Sequence, residues 1–121
     1  MRVLLADDSD PLRRAIARIL SWDPDVEVCG EARDGAEALT KAQELLPDLV
    51  LLDISMPGPN GLETARLLRQ ALPRTRILVI SQHERALVLP AVIAAGADDL
   101  LEKGRLASDL IPAIDRLRNT S

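Results

Sequence analysis

The sequence predicts an open, doubly wound parallel α/β sheet. Three observations carry that expectation: short continuous apolar runs recur five times, each is followed by a stretch with apolar residues at helical spacing, and the chain is short. Five βα units in 121 residues fall short of the eight that close a parallel barrel.

The first unit begins with Val3-Leu4-Leu5-Ala6, an apolar run that breaks into Asp7-Asp8-Ser9-Asp10. That is the signature of a buried strand with a polar carboxyl end. Ser9 or Asp10 can cap a helix that has Pro11 in its first turn and Leu12, Ile16, Ile19 and Leu20 on one face. Residues 26–29 form a second strand candidate, and Cys29 within it is expected to be a buried small hydrophobe. Gly35 precedes a helix with Ala38, Leu39, Ala42, Leu45 and Leu46 as its apolar face, stopped by Pro47.

Leu49-Val50-Leu51-Leu52 is the most hydrophobic run in the chain and ends in Asp53, as a central strand would. Gly61 opens the next helix, carrying Leu62, Ala65, Leu68 and Leu72. Ile77-Leu78-Val79-Ile80 ends in Ser81, and residues 84–95 read as a helix that Pro90 should kink or delay. Leu100-Leu101 leads to Lys103, and Leu106, Leu110, Ile114 and Leu117 mark a last helix in which Pro112 is tolerable only near the first turn.

Composition narrows the function. A single cysteine forbids an internal disulfide, and a formal net charge of −4 opposes nucleic-acid phosphates, so this chain alone is not expected to bind DNA. Trp22 is the sole aromatic residue, which excludes base-stacking platforms and leaves the core to Leu, Ile, Val and Ala. There is no secretory leader pattern and no apolar run near the ~18 residues of a membrane span. A soluble, cytoplasmic single domain is the expectation.

In open α/β sheets chemistry gathers beyond the carboxyl ends of the strands. Strand one ends in Asp7 and Asp8, strand three in Asp53, strand four in Ser81, and Lys103 follows strand five. In a flavodoxin-like strand order, 2-1-3-4-5, these ends are neighbours. Each residue alone is an ordinary turn, cap or surface residue. Together, three carboxylates, a hydroxyl and an ammonium suit phosphoryl transfer. Clustered carboxylates favour a hard divalent cation such as Mg²⁺, one Asp can attack phosphorus, and Lys103 and Ser81 can hold phosphoryl oxygens.

The strings Leu4-Leu5-Ala6-Asp7-Asp8-Ser9, Leu51-Leu52-Asp53-Ile54-Ser55-Met56-Pro57-Gly58-Pro59-Asn60-Gly61 and Gly96-Ala97-Asp98-Asp99-Leu100-Leu101-Glu102-Lys103 resemble the signature segments of response-regulator receiver domains. The resemblance covers essentially residues 1–121 as one domain and implies the CheY-like version of the same fold. It implies that Asp53 is the phosphoacceptor, that Asp8 and Asp53 ligate Mg²⁺, that Asp7 acts directly behind them or through water, and that the backbone carbonyl of Ser55 is the third protein contact. Ser81 and Lys103 become the phosphoryl-sensing pair, while Ser55 and His83 become residues that set phosphorylation and hydrolysis rates. The implied phosphodonor is a sensor histidine kinase.

Ser81-Gln82-His83 and Leu101-Glu102-Lys103-Gly104 further resemble the NarL/FixJ-type regulators, whose receivers are joined to helix-turn-helix domains. By that resemblance DNA is reached only through an output domain outside residues 1–121, making the chain either an excised receiver or a single-domain regulator. It would be a signalling module rather than an enzyme.

The sequence departs from the receiver pattern in three places. Leu100 stands where a switching aromatic ring is usual, Pro90 lies in the signalling helix, and Gly104 replaces a frequent proline, so no cis bond is expected there. Residues 87–95 carry no charge. Leu87, Pro90, Val92 and Leu100 are therefore expected to contribute to a switch or contact surface on helix 4, strand 5 and helix 5, a face on which a homodimer could form. Two other readings are a receiver reduced to a docking module and an aspartyl-phosphate phosphatase of the haloacid-dehalogenase type, whose D-x-D element Asp8-Ser9-Asp10 imitates. The latter place their nucleophile on the first strand, which leaves Asp53 unexplained.

Overall fold

The computed structural model describes residues 1–55 and 61–119. In chain order these form β1 (Arg2–Ala6), α1 (Asp10–Leu20), β2 (Glu27–Ala32), α2 (Gly35–Leu45), β3 (Leu49–Asp53), α3 (Gly61–Ala71), β4 (Arg76–Ser81), α4 (Arg85–Ala94), β5 (Asp99–Glu102), a single 3-10 turn (Lys103–Arg105) and α5 (Leu106–Arg118). The strands make one parallel sheet in the order β2-β1-β3-β4-β5, as the repeating βα pattern predicts.

Alternation along the strands sorts the core into two layers. Leu4, Ala6, Val50, Leu52, Val79 and Leu100 pack with residues of α2, α3 and α4, whereas Val3, Leu5, Leu49, Leu51, Leu78, Ile80 and Leu101 pack with α1 and α5. The largest fully buried side chains are all Leu or Ile, while Trp22 is 68% exposed. Burial of the aliphatic strands on both faces fixes which residues stand at their carboxyl ends.

Local chemistry sets the helix boundaries. Ser9 caps α1 by accepting from the Leu12 N–H, and Asp34 caps α2 by accepting from the Glu37 N–H. Gly61 begins α3 so close to the loop after β3 that a Cβ there would stand 2.1 Å from Ile54 Cα. Only glycine permits that approach.

Expectations change at four places, the first being Leu46: expected on the apolar face of α2, it lies one residue past the helix and is 62% exposed. Cys29 is only partly buried, because β2 is an edge strand whose pairing with β1 slips between Val3 and Leu4 and passes from Val28 to Gly30. Pro112 is seven residues into α5 rather than in its first turn. The buried stripe Leu106, Leu110, Ala113, Ile114 and Leu117 holds the helix together, and Pro112 occupies its exposed side. Of the two effects expected of Pro90, the delayed start does not occur: α4 begins at Arg85 and runs through the proline, with Ala86 and Pro90 both exposed. The backbone has no cis peptide among the described residues.

Candidate functional site

β1 and β3 are adjacent, and the chain leaves them toward opposite faces of the sheet, which opens a crevice at their carboxyl ends. Asp7 follows β1 and Asp53 is the last residue of β3; both are buried, while Asp8 is exposed. One carboxylate oxygen from each of the three lies within 4.8 Å of the others. Burial pushes the Asp7 carboxyl up to about 6 against the hydrogen bond from the Ser9 N–H, and the negative charge of Asp53 adds to the rise.

Asp53 responds the other way. Its burial disfavours charge, but the hydroxyl and N–H of Ser55 and the Lys103 ammonium outweigh that cost and hold the carboxyl below its usual range. Ser55 Oγ and N donate to Oδ1 at 2.7 and 2.9 Å. Lys103 Nζ donates to Oδ2 at 2.9 Å and to Ser55 Oγ at 3.4 Å. Lys103 reaches the crevice because the chain turns from β5 directly into the 3-10 turn. The carboxylate is thus held at both oxygens by donors that favour its charged form.

Ser81 ends β4 fully buried, and its Oγ accepts from the His83 N–H at 3.0 Å. A hydroxyl that accepts one hydrogen bond can still donate its own proton. His83 itself is exposed. The pattern of strand ends therefore brings Asp7, Asp8, Asp53, Ser55 and Lys103 into one cluster, with Ser81 on the neighbouring strand.

The donor set suits a hard cation. Asp7 Oδ2 is buried with no hydrogen-bond partner, which is costly for a carboxylate oxygen unless a positive charge meets it. The clustered atoms are all oxygens, as Mg²⁺ or Ca²⁺ requires.

The surface of α4 divides the residues assigned to a switch or contact. Leu87 is 73% exposed and Ile93 48%, and Pro90 is exposed. Val92 is fully buried in the core, so it cannot face a partner, and Leu100 is buried beneath α4 in the same layer. α4 is apolar nearly all round, so spacing alone does not show which side packs inward.

Two groups near the site escape sequence reasoning. Glu102 Oε1 accepts from the Arg85 N–H at 2.8 Å and so caps α4 from β5. Arg85 in turn donates to the Leu100 carbonyl and to Asp99. No local spacing relates residues 14 or more positions apart; alternation along β5 only shows that Leu100 faces inward.

Fold and site together define a flavodoxin-like doubly wound protein with an acidic, lysine-bearing pocket at the switch between β1 and β3. The family model described as the response regulator receiver domain matches residues 3–115. NarL, the nitrate/nitrite response regulator protein of Escherichia coli K12, is 41% identical over 114 residues, covering 93% of this chain and 52% of that protein. The protein-glutamate methylesterase/protein-glutamine glutaminase of Pyrococcus abyssi is 39% identical over 104 residues, 85% of this chain and 28% of that protein. Among solved structures, the receiver domain of the putative response regulator NarL from Mycobacterium tuberculosis superposes with a TM-score of 0.89 at 36% identity, covering 98% of this chain and 97% of that one. The response regulator domain of Thermotoga maritima CheB gives 0.90 at 33% identity, covering 100% and 98%.

The chain belongs to the response regulator receiver domain family. NarL-type regulators are among the proteins this chain resembles. The chain spans about half the length of the NarL protein it matches. No described helix is long and apolar enough to cross a membrane.

Proposed function

We propose that this chain is the phosphoryl-accepting module of a two-component regulator, with Asp53 as acceptor and a sensor histidine kinase as donor. The observation that carries this reading is the setting of Asp53: buried, held at Oδ1 by Ser55 and at Oδ2 by Lys103, beside an Asp7 oxygen with no partner. In the reaction an Asp53 oxygen forms the O–P bond of an acyl phosphate. The P–N bond of the donor phosphohistidine breaks, and the imidazole nitrogen takes a proton.

Asp7, Asp8, Asp53 and the Ser55 carbonyl would hold Mg²⁺, which when bound neutralises the clustered carboxylates and the phosphoryl oxygens. Lys103 gives its charge to one phosphoryl oxygen and the Ser81 hydroxyl donates to another. Ser55 and His83, beside the acceptor and at the outer edge of the β4–α4 loop, set access for the donor and for hydrolytic water. Fifty residues separate acceptor and lysine, so the fold rather than local sequence assembles the machinery.

The readout is a change in contacts made by α4, β5 and α5, the surface carrying Leu87 and Pro90, either with a second copy or with an output domain. By analogy with its NarL-type relatives, transcription is regulated through a DNA-binding domain beyond residues 1–121. Incubation with acetyl phosphate tests the acceptor chemistry: the wild type gains one phosphoryl mass with Mg²⁺ and none with chelator. A mass unchanged under both conditions, in folded protein, defeats the reading.

A further inference from the structure

Arg13 is only 6% exposed, rare for a guanidinium. Three groups hold it in α1. Nη1 donates to the Asp7 carbonyl, Nε donates to Glu31 Oε1 on β2 at 2.9 Å, and Nη2 pairs with Asp10 Oδ1. Asp7 and Asp10 bracket Asp8. The same short segment is tied further by the Asp7 N–H to the Ala32 carbonyl and by the Ser9 N–H to Asp7 Oδ1.

The placement matters because the acidic pocket tends to push itself apart. Like charges on Asp7, Asp8 and Asp53 within one cluster favour swinging the Asp7–Asp10 loop outward. A planar fork with several donors can grip a backbone carbonyl and two carboxylates at fixed angles, which a single ammonium cannot. Arg13 grips the backbone behind Asp7 rather than its carboxylate. It therefore restrains the loop while leaving the pocket-facing oxygens free for a cation.

We infer that Arg13 is a positioning residue for the cation site, fixing the spacing of the Asp7 and Asp8 carboxylates through the Asp7 backbone and the Asp10 side chain. The inference rests on the proposed binding of Mg²⁺ in this pocket. Ligand-orienting partners of this kind are worth roughly ten- to a hundredfold in metal affinity.

Arg69 supplies a matched control. It donates to the carbonyls of Gly96, Pro73 and Thr75 and to Asp98, far from the pocket near the amino ends of β4 and β5. Calorimetric titration of the whole chain with MgCl₂ compares wild type, Arg13→Lys, Glu31→Gln and Arg69→Met. Arg13→Lys weakens Mg²⁺ binding about tenfold. Glu31→Gln, at a side chain 51% exposed, keeps the chain folded and weakens it by a smaller factor. Arg69→Met loses stability with its Mg²⁺ affinity intact.

The phosphorylation rate with acetyl phosphate gives an independent readout. In Arg13→Lys the half-saturating Mg²⁺ concentration rises, and the rate at saturating Mg²⁺ returns to that of the wild type. Wild-type Mg²⁺ affinity in both Arg13→Lys and Glu31→Gln, or equal weakening in Arg69→Met, overturns the inference alone. A wild type that binds no Mg²⁺ overturns the reading of the pocket and this inference with it.

Discussion

Lys103 Nζ and Asp53 Oδ2 stand 2.9 Å apart although fifty positions separate them in the chain. The carboxylate is fully buried and the lysine side chain 22% exposed, so the pair lies in a medium where each partner depends on the other. Lys103→Met leaves Asp53 with only Ser55 to hold its charge. The expected outcome in urea unfolding is a loss of about 1–3 kcal/mol in metal-free protein, part of which Mg²⁺ restores by binding the native state. An unchanged unfolding midpoint would count against the pair's importance.

Asp7→Asn acts in the opposite direction. The Asp7 carboxylate is buried, repelled by Asp53 and has an unpartnered oxygen, so the neutral amide stabilises the metal-free fold by about 1 kcal/mol at neutral pH. The same substitution abolishes the rise in melting temperature that Mg²⁺ gives the wild type. A less stable apo variant that still responds to Mg²⁺ would show that the pocket is organised differently.

Gly61→Ala forces a methyl group onto the Ile54 backbone. Overpacking of this kind costs about 1–3 kcal/mol, and the displaced loop also weakens the Ser55–Asp53 hydrogen bonds and slows phosphorylation. Gly104→Ala, with no atom within 4 Å of its Cβ, is the neutral comparison. Equal melting temperatures for the two variants would refute the steric account.

Much of this was legible in the sequence because strand ends are legible. The apolar runs of β1, β3 and β4 stop at Asp7, Asp53 and Ser81, and parallel order does the rest. What escaped notice depended on contacts distant in sequence or on edges. Cys29 looked buried because its neighbours are apolar, but it lies on an edge strand where the register with β1 shifts. Pro112 looked like a first-turn residue because a lone helix would break there, whereas α5 is held by its buried stripe. Val92 looked like a surface candidate because α4 lacks a polar side to mark the outside. The grip of Arg13 on Asp7 and Glu31 has no motif, since three separate elements must meet to form it.

Acid sensitivity should arise partly at the far end of the sheet. Arg118 Nη2 donates to Asp23 Oδ2 at 2.7 Å, and that hydrogen bond, with the Asp25 N–H, holds the Asp23 carboxyl below its ordinary range. The folded value lies below the unfolded one of about 3.9, so folding favours the ionised form. The contribution is present above about pH 4 and disappears as pH falls through the folded value. Asp23→Asn is therefore less stable than wild type at pH 7, and the two converge at the acid end of a pH series of unfolding midpoints. A gap that stays constant with pH would rule out this origin.

The central claim is that Asp53, and neither Asp7 nor Asp8, receives the phosphoryl group. Its most direct test is to treat the chain with acetyl phosphate and Mg²⁺, reduce the acyl phosphate with borohydride, and locate the resulting homoserine by peptide mass spectrometry. The account predicts homoserine at position 53 in the wild type and none anywhere in Asp53→Asn. Homoserine at position 7 or 8, or a label that persists in Asp53→Asn, would contradict it.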